Sequence, residues 1–129
     1  MKKTLTITDL LAQKDQLKKR KGRQQRLYVE SLDAEIVIEE PSRELAAEAL
    51  EMANDETLSD KADAHVVYHT VVSPNLKDPK LQKEFGCAEP TDIVDILFRP
   101  GEIAAISGFA LQLAGYGHTV RKVDAELKN

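Results

Sequence analysis

The stretch Leu27-Tyr28-Val29-Glu30-Ser31-Leu32-Asp33-Ala34-Glu35-Ile36-Val37-Ile38-Glu39-Glu40-Pro41-Ser42 decides the fold. Leu27 and Val29, then Ile36 and Ile38, alternate with Tyr28, Glu30, Glu35 and Glu39. A period of two sends one set of side chains to a core and the other to water, as in half-buried strands. Asp33, near the middle, is the turn residue, although no Asn-Gly or Asp-Gly pair fixes a two-residue loop. Pro41 closes the hairpin. Ser42 then reads as a helix N-cap, with Glu44 in the first turn and Leu45, Ala46, Ala49, Leu50 and Ala53 as an apolar stripe. A hairpin that hands over to helices predicts an α+β domain, mainly helical.

Downstream, the helical signals continue in short pieces. Val66 to Val72 has strand propensity, but Ala62-Asp63-Ala64 looks like a helix entry; residues 65–72 are assigned to a helix, with a strand as the alternative. Ser73-Pro74 stops it, because the residue before a proline is pushed out of the helical region. Pro79 suits the first turn of a helix running to Phe85 and closed by Gly86. Pro90 or Thr91 starts another, with Ile93, Val94, Ile96, Leu97 and Phe98 as its apolar side. Pro100 opens the best-marked helix, in which Ile103, Ile106, Ala110 and Leu113 share a face and Gly115 ends the run. These four are expected to pack on Ile93, Val94 and Leu97. Val120, Val123 and Leu127 could add a last helical turn.

Upstream lies a different composition. Residues 1–26 hold nine Lys/Arg and two Asp/Glu, a net +7, whereas residues 27–129 hold nine against twenty, a net −11. Asp9 to about Lys19 reads as one short helix with few apolar residues, so 1–26 forms a basic arm and 27–129 a single α+β domain. A chain of 129 residues leaves little room for a second core. No run approaches the roughly 20 apolar residues that cross a bilayer, and no cleavage site follows the amino-terminal lysines. One cysteine excludes an internal disulfide. The chain reads as cytoplasmic.

Chemistry is sparse. His65 and His69 have the spacing of a zinc pair, but Val66 stands where a metalloprotease has its glutamate, and no third ligand follows. Cys87 sits among Glu84, Glu89 and Asp92, which disfavour a thiolate, and reads as a semi-buried filler. Ser107-Gly108 lacks a nucleophile elbow. Gly115-Tyr116-Gly117 lacks the third glycine and the preceding strand of a dinucleotide fingerprint. No catalytic residue, cofactor or metal is expected. The basic arm could neutralise phosphates, but it has no interleaved aromatics, and the acidic body would repel a duplex, which argues against a nucleic-acid partner.

Between Tyr68 and Tyr116 the motifs come in a telling order: Val71-Val72-Ser73-Pro74-Asn75-Leu76, Asp78-Pro79-Lys80-Leu81, Pro90-Thr91-Asp92-Ile93-Val94, then Arg99-Pro100-Gly101-Glu102-Ile103. The succession resembles the tail assembly chaperones of long-tailed phages and prophages of Gram-positive bacteria, over residues 27–117. It departs from them in its long basic arm and in Ala114-Gly115, where a Ser-Gly pair is usual. The resemblance implies a non-catalytic protein of the host cytoplasm, absent from the finished virion. Such a protein binds the helical tape-measure protein until tail-tube protein polymerises around it, and the resemblance leaves room for a homo-oligomer. Phe98, Phe109 and Tyr116 are the candidate contacts, since aromatics carry a large share of interface energy. Phe98 and Phe109 could equally fill the core; Tyr116, between two glycines, is expected outside. The rival readings are a nucleic-acid-binding phage regulator that uses the basic arm and a structural tail or head-completion protein.

Overall fold

A computed structural model describes residues 3–20, 22–117 and 119–123. The hairpin forms where the alternation places it. Strand β1 (Gln24–Val29) pairs antiparallel with β2 (Ala34–Glu39), with Leu27 opposite Ile36 and Val29 opposite Ala34. A short 3-10 turn, Glu30–Leu32, joins them and ends on Asp33 at φ 48°. Aspartate tolerates that left-handed conformation better than most residues, and its carboxylate accepts the Tyr28 hydroxyl. Val29, Ile36 and Ile38 are buried while Tyr28, Glu35 and Glu39 face outward. β1 starts at Gln24, so the sheet takes in Gln24, Gln25 and Arg26 of the basic segment.

Helix α3 (Arg43–Ala53) starts as expected, with the Ser42 hydroxyl accepting the Leu45 N–H at 3.1 Å. Its stripe splits, however. Leu45, Ala46 and Ala49 are buried, but Leu50 is 55% exposed and Ala53 lies in the open. Helix α4 (Ala62–Thr70) is the centre of the domain and packs on α3, on α6 (Asp92–Leu97) and, most extensively, on α7 (Pro100–Leu113).

That central position explains why residues 65–72 read ambiguously. A helix covered on several sides has Ala62, Ala64, Val66, Val67 and Thr70 all buried, so the apolar period that marks a surface helix is absent. The helical assignment holds as far as Thr70. The Thr70 hydroxyl donates back to the Val66 carbonyl at 2.7 Å, and the chain then turns extended at Val71, earlier than Pro74 alone requires. Strand β3 (Val71–Ser73) pairs antiparallel with β2, through a register shift between Val37 and Ile38, and completes a β1-β2-β3 sheet.

The connecting segment is tied down by polar groups. Asp78 caps α5 (Pro79–Glu84) by accepting the Leu81 N–H at 3.0 Å. Gly86, at φ 65°, ends that turn in a conformation that favours glycine. The Gln82 amide donates to the carbonyls of Leu76 and Pro90, both at 2.9 Å, which pins this loop over the fully buried Leu76. Cys87 is half-buried against the core.

Helix α7 buries Ile103, Ile106, Ser107 and Ala110, with Leu113 partly covered. Its main neighbour is α4, and α6 contributes less than the sequence suggests. Arg99 is extended (φ −75°, ψ 155°), so the two consecutive helices turn away from one another and α4 fills the space beside α7. The expected last helical turn is not formed by Val120 or Val123, which are non-helical and strongly exposed; Leu127 lies outside the described residues. In the basic arm the expected single helix is two. α1 (Ile7–Ala12) begins earlier than expected, because Thr6 and Asp9 satisfy each other's backbone N–H groups, and Gln13 breaks it from α2 (Lys14–Lys18). Neither contains a buried residue.

Candidate protein-binding surface

The neighbouring helices α3 and α4 and the distant α7 enclose an apolar groove. α3 supplies Ala46, Ala49, Leu50 and Ala53, α4 supplies Ala62, Asp63 and Val66, and α7 supplies Ser107 and Leu111, with Tyr116 just beyond its end. The groove is about 190 Å³. Small residues on its floor let another backbone come close, while Leu50 and Tyr116, 55% and 42% exposed, form an apolar lip. Gly115 at φ 91° turns the chain so that Tyr116 stands beside the groove rather than continuing α7. The Ser107 hydroxyl is buried in this region without a hydrogen-bond partner among the described residues.

A second cleft of about 360 Å³ lies on the other side of α7. Arg26 to Glu30 of the first strand and its turn form one wall, and Glu102, Ala105, Ile106 and Phe109 form the other. Phe109 is 45% exposed there and Tyr28 more so. Glu102 anchors this end of the helix. Its carboxylate accepts the Arg99 N–H at 2.9 Å and the Ser31 hydroxyl at 3.0 Å, and these bonds, the Arg99 one first, hold its pKa below the ordinary range. The hairpin tip and the start of α7 are thereby joined.

The three aromatics singled out by sequence therefore separate. Phe98 is 3% exposed and packs in the core, so it is not available as a contact; its position at the end of α6 points it inward with Val94 and Ile93. Phe109 and Tyr116 are both exposed, but they line two clefts that share no residue. Tyr28 is exposed, as the strand alternation places it, whereas the exposure of Leu50 was not anticipated. The Ala-rich face of α3 was visible in the sequence, but it reads equally well as core.

The remaining candidate groups are dispersed. His65 and His69 rings meet edge-on at 4.8 Å, and His65 Nε2 lies 3.2 Å from Glu48. Partial burial, then Lys77 and His65, push the His69 pKa down against the pull of Glu48. Among the described residues no group of three His, Cys, Asp or Glu side chains is placed to hold a metal ion. Among them also, no helix is long and apolar enough to cross a membrane.

A family model described as phage XkdN-like tail assembly chaperone protein matches residues 9–128. No curated protein and no solved structure matches the chain.

Proposed function

This chain belongs to the phage XkdN-like tail assembly chaperones and acts in tail assembly, and we propose that it does so by binding helical segments of the tape-measure protein without catalysing a reaction. The observation that carries the proposal is the α3/α4/α7 groove, with its alanine floor and its lip of Leu50, Leu111 and Tyr116. A helix carrying apolar residues at i, i+3 and i+4 matches such a groove, and the small floor residues allow close backbone approach. A chaperone must also release its client. A shallow apolar groove with acidic neighbours suits that, because it buries limited area and keeps the free protein dispersed. Phe109, in the cleft beside β1, is a second contact in this proposal. The client stays in the host cytoplasm with this protein until the tail-tube protein replaces it.

Co-expression with the tape-measure gene of the same phage tests this. The expected result is a soluble complex that purifies as one species and is weakened by Tyr116→Ala and by Leu50→Arg, both at exposed positions that leave folding intact. A tape-measure protein equally soluble with and without this chain, and never purifying with it, would overturn the proposal.

A further inference from the structure

Strand β1 lies at the edge of the sheet, and among the described residues no strand pairs with its outer side. The Glu40 N–H donates to the Arg23 carbonyl at 2.7 Å. An antiparallel ladder bonds every second residue to the same neighbour. Gln25, Leu27 and Val29 therefore turn their backbone groups to β2, while Gln24, Arg26 and Tyr28 turn theirs to the open edge. Such an edge is a template for one more strand. The cleft beneath it is apolar, lined by Leu27 and Val29 on one wall and by Ala105, Ile106 and Phe109 of α7 on the other. On the outer face of the sheet β1 shows Arg26, which is bonded to Glu35 of β2 and still 74% exposed, and β1 holds no acidic residue. A strand that fits this edge alternates apolar residues toward the cleft with acidic residues beside Arg26.

One segment of this chain has that pattern and is brought to that place. α7 runs antiparallel to β1, since Glu102 meets Ser31 at the hairpin tip, whereas Ala114 and Gly115 line a cleft with Arg23, just before β1. Gly115 and Gly117, both at positive φ, turn the chain, and Thr119 and Val120 line that same cleft. Residues 121–123 are neither helix nor turn, and Val123 is 80% exposed. The sequence continues Val123-Asp124-Ala125-Glu126-Leu127-Lys128, in which Val123, Ala125 and Leu127 alternate with Asp124, Glu126 and Lys128. We propose that Val123 to Lys128, which from Asp124 onward lie outside the described residues, add to β1 as a fourth, parallel strand. Ala125 and Leu127 enter the Phe109 cleft, and Asp124 and Glu126 flank Arg26. Six extended residues span roughly 20 Å, enough to cover β1 from end to end. Two other occupants fit worse: the basic arm would set lysines against Arg26, and β1 of a second copy brings no acidic residue. The added strand satisfies the open edge and covers Phe109 in the free protein. A client reaches that second contact only by displacing it, while the α3/α4/α7 groove stays open. The pairing itself does not depend on the client-binding reading.

Amide hydrogen exchange of the full chain, read residue by residue by nuclear magnetic resonance, tests the proposal. The Arg26 and Tyr28 amides should exchange about tenfold more slowly, or slower still, in the parent protein than in Leu127→Asp. The Gln25 and Leu27 amides, which face β2, should be equally protected in both, and this checks that the variant folds. A double variant, Asp124→Lys with Glu126→Lys, should release the same two outer amides, and protection that survives it overturns the pairing with Arg26. Equal exchange of Arg26 and Tyr28 in the parent and in Leu127→Asp overturns the proposal, whether both are fast, as at a bare edge, or both slow, as under a different occupant. Protection that rises with protein concentration also overturns it, because the added strand then comes from a second copy. None of these results bears on whether Tyr116→Ala and Leu50→Arg lose the tape-measure protein, so a failure here leaves the client-binding reading standing.

Discussion

Helices α1 and α7 are built on similar local instructions. An acidic residue at the third position, Asp9 or Glu102, accepts the backbone N–H of the residue before the helix, Thr6 or Arg99. Each then repeats apolar residues at three- and four-residue spacing. Yet α7 buries Ile103, Ile106 and Ala110 against α4 and the sheet, while α1 buries nothing. The difference teaches that capping and periodicity specify a helix and its apolar face, but not whether that face has a partner inside the same chain. In α7 the face is held by contacts from elements distant in sequence. In α1 it stays exposed.

The sharpest way to break this contrast is a charge in each stripe. Ile106→Asp should destabilise the domain by about 2–5 kcal/mol from the cavity alone, before charge burial adds to it. Ile7→Asp should leave the chemical-denaturation midpoint of the dilute protein unchanged. A midpoint that moves equally in both variants would show that α1 belongs to the core.

Ser107→Ala sharpens the comparison from inside α7. The hydroxyl is buried without a partner among the described residues, and removing it should stabilise the domain by about 1 kcal/mol. That corresponds to a rise of a few degrees in Tm. A loss of stability instead would mean that the hydroxyl is satisfied in solution.

A smaller effect is expected from pH. The folded-state pKa of His69 is lowered from 6.5, chiefly by partial burial. As the pH falls below that value the unfolded chain takes up the proton first, so the stability from this residue is complete above it and declines toward the folded pKa. Urea midpoints measured between about pH 7.5 and about pH 5.5 should fall less in His69→Gln than in the parent protein. Identical slopes would show that the ring is as well solvated as in the unfolded chain.

Smallest of all should be the effect of removing the arm. A chain reduced to residues 23–129, which keeps β1 whole, should unfold cooperatively within about 0.5 kcal/mol of the full chain. Loss of cooperativity would place Leu10, Leu11 and Leu17 in the core after all.

The legible parts of the fold are those in which one face is wet. The hairpin alternates because one side of β1 and β2 meets water, and α3 and α7 announce their starts through Ser42 and Pro100. The illegible part is α4. Packed by α3, α6 and α7, it exposes just Asp63 and His69, too little to set a period, so Val66 to Val72 also reads as strand, and the chain is in fact helix to Thr70 and strand from Val71. Leu50 was legible as apolar but not as exposed, because a core stripe and a groove wall have the same spacing.

The sequence alone determined the α+β class, the presence of the hairpin, the Ser42 cap and the Pro100 helix start, the charge division between arm and body, and the resemblance to tail assembly chaperones, since each is carried by neighbouring residues or by an ordered set of local motifs; the hairpin register came only with the structure. Tertiary structure alone decided that Phe98 is buried while Phe109 and Tyr116 line separate clefts, and that α3, α4 and α7 enclose an apolar groove. Whether an apolar side chain becomes core or contact surface depends on what packs over it. In this protein the packing elements come from parts of the chain dozens of residues apart, and no local pattern records them.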